Sequence, residues 1–235
     1  MKLGDLEFHI LVDGHFGLDG GAMFGVIPKP MWEKKTPADA RNRIMLSMNC
    51  LLIRAGGKRI LVETGAGDKF NAKLRDIYAL EGPFLTDRLR DYGLKPEDID
   101  IVVNTHLHFD HCSGNTRIEN GKAVPTYPNA RYVVHRSELE HAKHPTERDR
   151  ASYFPDNYAP MEATGQWQLE GDEAEVAPGV HLISVPGHIA NMYCVKLEGG
   201  GKTAFLFADL VPMTPHLGLP WIMGYDLYPM QTLEN

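Results

Sequence analysis

The stretch that decides the fold is Asp98-Ile99-Asp100-Ile101-Val102-Val103-Asn104-Thr105-His106-Leu107-His108-Phe109-Asp110-His111. An apolar, β-branched run reads as a buried strand. Three imidazoles and a carboxylate follow it within six residues. Neutral imidazole nitrogen and carboxylate oxygen suit zinc and neighbouring divalent ions, so the loop reads as a metal site at a strand end. In extended chain His106 and His108 project to one side, because side chains alternate with period two. Asp110 and His111 are adjacent, so both reach the site only where the chain bends. The spacing suggests two neighbouring metal positions served by one loop.

The chain of 235 residues is long enough for one large domain or two small ones, and no linker or low-complexity tract divides it, so a single domain over 1–235 is expected. Its 24 Lys and Arg against 31 Asp and Glu leave a formal charge of −7, which argues against a general affinity for phosphate backbones and hence for nucleic acid. No window has the length and apolarity of a membrane span, and Met1 to Glu7 lacks an apolar signal-peptide core. The expectation is therefore no membrane partner and a cytoplasmic location. Cys50, Cys112 and Cys194 are odd in number and far apart, unlike a disulfide framework or a CxxC zinc knuckle. Cys50 and Cys194 lie in apolar stretches and read as small hydrophobes. Cys112 follows His111 directly, a weak pointer toward the metals.

Outward from the histidine loop, strands are predicted at Leu6 to Val12, Asn49 to Arg54, Arg59 to Val62, Arg131 to Val134, Val180 to Val185, Met192 to Leu197 and Thr203 to Phe207. Asp13-Gly14-His15 reads as a turn, and residues 17–48 as a long loop or short hairpin. Helical spacing covers Phe84 to Tyr92, ending at Gly93, and a short helix is expected around Ser137 to Lys143. Residues 144–166 read as a polar insertion. Two successive sets of strands with few helices imply an α/β fold of two packed sheets with helices outside.

Two further segments place a polar group at a strand end. In Ile183-Ser184-Val185-Pro186-Gly187-His188, Pro and Gly force a turn that presents His188. In Ala204-Phe205-Leu206-Phe207-Ala208-Asp209 an apolar strand ends in a carboxylate. His106-x-His108-x-Asp110-His111, then Pro186-Gly187-His188, then Asp209 resembles the metallo-β-lactamase-fold hydrolase superfamily in order and spacing, across roughly residues 5–215. The resemblance implies an αββα sandwich of two mixed β-sheets flanked by helices, with the metals at one edge. It implies that His106, His108 and His188 hold a first metal, that Asp110 and His111 hold a second, and that Asp209 bridges both. The expected cofactor is Zn2+ at two sites, with Fe or Mn as alternatives. Asp209 stands where the commonest zinc β-lactamases have cysteine. Phe109 and the stretch Gly20-Gly21-Ala22-Met23-Phe24-Gly25 are similar to the lactonase-like branch, which includes quorum-quenching lactonases and organophosphate hydrolases.

Two positions depart from the family pattern. Glu63-Thr64-Gly65 stands where Asp-Thr-Gly is usual, and the longer acid repositions the groups that orient the ligands. The family's last ligand to the second metal is a histidine about forty residues beyond the bridging acid, whereas Asn235 follows Asp209 by 26 residues. The expectation is a truncated chain with a weakened second site, and His216 is the one histidine after Asp209 that could substitute. His9, His15, His135, His141, His144 and His181 lack motif context and read as structural or surface residues.

A metal pair lowers the pKa of a bridging water toward neutrality and makes hydroxide available for attack on a carbonyl or phosphoryl centre. Asp110 is the candidate catalytic residue, orienting the hydroxide and passing its proton to the leaving group. The pocket is expected from residues 20–32, 150–165 and 219–223, with Phe24, Trp32, Phe109, Tyr153, Phe154, Trp221 and Met223 as an apolar wall for a small ester or lactone. The function so read is a metal-dependent hydrolase with a small-molecule substrate, a homodimer being left open. The alternatives are a mononuclear iron oxygenase of the same fold, similar to the persulfide dioxygenases, and a non-catalytic binding protein.

Overall fold

The computed structural model describes residues 1–235. Its strands are β1 (Lys2–Leu3), β2 (Leu6–Asp19), β3 (Arg43–Ala55), β4 (Lys58–Val62), β5 (Ile101–Val103), β6 (Thr116–Glu119), β7 (Lys122–Pro125), β8 (Arg131–His135), β9 (Trp167–Glu170), β10 (Glu173–Ala177), β11 (Val180–Ser184), β12 (Tyr193–Gly199) and β13 (Lys202–Leu206). A seven-stranded sheet has the order β1-β2-β3-β4-β5-β8-β9, and a four-stranded sheet the order β10-β11-β12-β13. The β6–β7 hairpin stands apart. The first sheet is mixed, antiparallel from β1 to β4 and parallel through β4, β5, β8 and β9.

Alternation within β3 shows how the layers arise. Leu51 and Ile53 face the second sheet and join Val62, Val103, Val133, Leu182, Val195 and Leu197 in one core. Cys50 and Leu52 point the other way, toward Leu85 and Leu89 of the helix Leu85–Arg90 and Met161 of the helix Ala159–Ala163. Both faces of β3 are thus apolar, which is why the sequence there shows a continuous run and no alternation. This is the two-sheet sandwich that the resemblance implies, with the correction that only the first sheet is mixed, the second being antiparallel throughout. No helix is long and apolar enough to cross a membrane.

Of the long loop or short hairpin expected over residues 17–48, the structure has the hairpin, with a long connection between its arms. β2 continues to Asp19 and β3 begins at Arg43, pairing Phe16 with Leu46 and Leu18 with Ile44. Asp13-Gly14 is a register shift inside β2 and not a turn. Gly14 has φ 92°, and a Cβ there would strike the backbone oxygen of Glu81. Glycine is required because the strand must bulge around that close approach. Residues 20–42 remain a connection, with short helices at Gly20–Phe24 and Lys29–Trp32.

Strand direction gathers the site. β4 and β5 are parallel, so Glu63 and the histidine loop leave the first sheet at the same edge. β11 and β13 each run antiparallel to β12, so their C-terminal ends, leading to His188 and Asp209, also coincide. The backbone N–H of Tyr193, at the start of β12, donates to the Thr105 carbonyl at 3.0 Å and ties the two edges together.

Candidate metal centre

The bend that Asp110 and His111 require is a single helical turn, Phe109–Cys112, with His111 N and Cys112 N both donating to the His108 carbonyl. It sends Phe109 inward beside Phe16, Met48 and Leu80, and turns Asp110 and His111 toward the sheet edge. Two other turns at this edge hold non-glycine residues in left-handed backbone: Glu63 at φ 66° and Ala208, next to Asp209, at φ 47°. Such conformations cost on the order of 1–3 kcal/mol and persist where surrounding structure fixes them, commonly at functional sites. Beneath the first turn Asp13 accepts from Gly67 N and Leu85 N, and a Cβ on Gly65 would collide with it. Burial pushes the Asp13 carboxyl up to about 7.

Three overlapping groups of donor atoms result: two nests, and a third group, Glu63 with His106 and His111, that joins them. In the first, one nitrogen from each of His106, His108 and His188 lies within 4.8 Å of the others, and all three residues are buried. Nε2 of His188 is 3.0 Å from Nδ1 of His108. Nδ1 of His106 meets the Thr105 hydroxyl, while its Nε2 is buried without a partner. Burial, reinforced by the neighbouring imidazoles, holds His106 and His108 well below the ordinary histidine range. These are neutral rings with free lone pairs, the state in which imidazole coordinates a cation.

The second nest joins Asp110, His111 and Asp209. His111 Nε2 lies 3.2 Å from Asp209 Oδ1 and 3.6 Å from Asp110 Oδ2. Burial opposes a charge on His111, but Asp209 and Asp110 outweigh it and raise its pKa well above the ordinary value. Burial raises Asp110. Burial also acts to raise Asp209, but the charge and hydrogen bond of His111 prevail and hold it low. The second oxygen of Asp209 is 3.5 Å from His188 Nε2, so this one carboxylate reaches both nests. An N₃ set beside an N,O set with a shared carboxylate fits a pair of zinc-like ions.

Of the residues that support these nests, Glu63 is marked in the sequence by its departure from the family pattern, whereas Glu138 and Asp226 are not evident there. Glu63 accepts from Thr105 N at 3.1 Å and lies 3.5 Å from His111 Nδ1, with its other oxygen unpartnered. The longer acid thus still reaches the ligand loop. Glu138, buried in the helix Arg136–Lys143, accepts from Leu107 N and from the Tyr153 hydroxyl. Asp226 lies 3.1 Å from His188 Nδ1. Cys112 turns away, its thiol donating to the Leu107 carbonyl, and belongs to neither nest.

Both nests open into a cavity of about 690 Å³, walled by Leu18, Met23, Leu46, Met48, Phe109 and Met223, with Tyr78 and Tyr225 as polar groups. Burial raises the phenol of Tyr78 and pushes that of Tyr225 up to about 12, so both stay protonated donors near neutrality. The expected wall is corrected in part. Phe24 and Trp32 are core, stacked at 5.3 Å, and Trp221 meets Phe24 edge-on. Tyr153 packs on the His108 ring at 4.8 Å, and Phe154 lies against Phe70 and Phe109. His216 does not stand in for a second-nest ligand: it stacks on Phe24 at 5.1 Å with Nε2 bonded to the Met23 carbonyl.

The family model of the metallo-beta-lactamase superfamily matches residues 45–230. An N-acyl homoserine lactonase of Bacillus cereus is 32% identical over 169 residues, which are 67% of this chain and 60% of that protein. A probable metallo-hydrolase of Methanocaldococcus jannaschii is 30% identical over 165 residues, 68% of this chain and 69% of the other. The chain therefore spans about 60% of the length of the Bacillus relative it matches. Among solved structures, a probable metal-dependent hydrolase from Staphylococcus aureus superposes with TM-score 0.92 at 33% identity, over all of this chain and 83% of that one. A dizinc quorum-quenching lactonase in complex with its product superposes at 0.78 and 20% identity, over all of this chain and 82% of that one, a likeness of fold alone.

Proposed function

Because this chain belongs to the metallo-beta-lactamase superfamily, we propose that it is a metal-dependent hydrolase of a small ester or lactone, with two divalent ions held by the paired nests. The observation that carries this reading is the convergence of His106, His108 and His188 with Asp110, His111 and Asp209 beneath one apolar-walled cavity, which all of them but His106 line. Such a pair, when bound, supplies Lewis acidity and a water activated at neutral pH. His106, His108 and His188 would hold the first ion, Asp110 and His111 the second, and Asp209 both.

The protein's own groups do the rest. Leu18, Met23, Leu46 and Met223 give an acyl or alkyl chain an apolar wall, and the protonated phenols of Tyr78 and Tyr225 are donors for a substrate oxygen. Asp110 lies on the cavity floor with its pKa raised by burial, which suits a carboxyl that takes a proton and returns it to a leaving alkoxide. The acidic second nest favours two ions over the single iron of an oxygenase, and a non-catalytic scaffold would have no use for ligand-bearing turns in left-handed backbone. The relatives named as lactonases support the lactone as substrate.

The test is metal content together with turnover. Chain reloaded separately with zinc, manganese and iron is offered N-acyl homoserine lactones and p-nitrophenyl esters. Hydrolysis that tracks two metal equivalents is the expected result. One equivalent of iron, oxygen uptake with a glutathione persulfide and no ester or lactone cleavage would overturn it.

A further inference from the structure

Asp226 is a fully buried carboxylate beside the nests, its side chain 0% exposed. Oδ1 is 3.1 Å from His188 Nδ1, on the ring edge opposite the nitrogen that faces His108 and Asp209, while Oδ2 is buried with no partner at all. Its placement is secured by backbone. Leu227 N donates to the His188 carbonyl and Tyr228 N to the Gly187 carbonyl, both at 2.9 Å. Arg148 donates to the carbonyl of Gly224 at 2.6 Å and reaches that of Asp226. Gly187, at φ 153°, packs so closely that a Cβ would come within 2.6 Å of Thr232 Oγ1.

A buried carboxylate with one imidazole nitrogen at hydrogen-bond distance and one orphaned oxygen is costly by itself. The cost falls when positive charge arrives on the far side of the same ring. We propose that Asp226 is a positioning residue that takes the Nδ1–H of His188, fixes that tautomer and leaves Nε2 as a bare lone pair for a divalent cation. A carboxylate behind a ligating imidazole sets ring orientation and raises ligand basicity, an effect worth about 10–100-fold in metal affinity. The inference rests on the proposed metal centre, and it names a residue 38 positions from the ring it serves.

Zinc affinity is measured by competition with a chromophoric chelator for wild type, Asp226→Asn, Asp226→Ala and His106→Ala, with circular dichroism as the check on folding. Nitrogen-15 spectra of the metal-free wild type report the His188 tautomer without any substitution. The expected results are a neutral Nδ1–H tautomer, roughly 10–100-fold weaker zinc binding in Asp226→Ala, and a smaller loss in Asp226→Asn, which keeps an acceptor but not the charge. A neutral Nε2–H tautomer or an imidazolium in wild type overturns the proposal even if the variants do not fold. Wild-type zinc affinity in Asp226→Ala, with His106→Ala crippled, overturns it and spares the metal centre. Wild-type affinity in His106→Ala overturns the metal centre itself.

Discussion

His106 and His108 are held as neutral rings by burial and by one another, whereas His111, whose ring centroid is 4.1 Å from that of His106, keeps a proton between two carboxylates. The first nest is all nitrogen and offers free lone pairs. The second is already satisfied internally, with Asp209 and His111 3.2 Å apart. A cation entering the first nest displaces no proton from His106 or His108. A cation entering the second must displace the proton of His111. The contrast predicts sequential filling, with the first ion bound tightly and the second only where protons are scarce.

The strongest way to break this comparison is to empty the first nest. His106→Ala should weaken the tighter zinc equivalent by more than about 100-fold, above what loss of an outer group costs, and reduce hydrolysis to background. If the tight equivalent survives and the loose one vanishes, the order of filling is reversed. Asp110→Asn should act differently. We expect turnover to fall by about 10²–10⁴-fold, the usual contribution of a positioned acid or base, while the tight zinc equivalent stays within about tenfold of wild type. Steady-state kinetics beside the chelator titration separates the two outcomes.

The unequal legibility of the nests has a physical origin. His106, His108, Asp110 and His111 sit on one local segment, where period-two alternation and a single turn bring them together. Local order therefore exposes them, and the strand-end turns expose His188 and Asp209 in the same way. Glu138 and Asp226 act across 31 and 38 residues, and such contacts leave no local pattern. Core and cavity wall use the same residue types, so Phe24 and Trp32 could not be told from Phe109 or Met223 by composition. Gly14 misleads for a related reason: a bulge and a turn both require glycine, and only the packing of Glu81 against it distinguishes them.

Acidity sharpens the comparison further. His111 has a folded pKa above its unfolded value, so its contribution to metal-free stability is full below about 6.5 and is lost as pH rises through the folded value. His106 and His108 have folded values below the unfolded one, so theirs is present above about 6.5 and is lost as pH falls. The looser zinc equivalent should consequently weaken about tenfold per pH unit of acidification below the His111 pKa, one proton competing with one ion. The tighter equivalent should be nearly flat from pH 7 to 8. Equal slopes in a calorimetric titration would erase the distinction. Glu138 adds a background of the same sign as His111, since burial pushes it up to about 8 and its neutral form favours the fold below that. Glu138→Gln should remove much of the stability lost between pH 5 and pH 8, on the order of 1–3 kcal/mol.

The smallest effect is expected at His216, a buried histidine beside Met23 of the cavity wall that belongs to neither nest. Its Nε2 holds the Met23 carbonyl, its Nδ1 is buried without a partner, and its ring stacks on Phe24. His216→Phe keeps an aromatic ring in the stack and deletes the orphaned nitrogen, but leaves the Met23 carbonyl without its donor. The two changes oppose each other, so stability should fall by only about 1 kcal/mol, read from urea unfolding of the metal-free chain. Both zinc equivalents should bind as in wild type. Loss of the looser equivalent in His216→Phe would move this histidine into the second nest, and the contrast between a nitrogen nest and an acidic one would have to be redrawn.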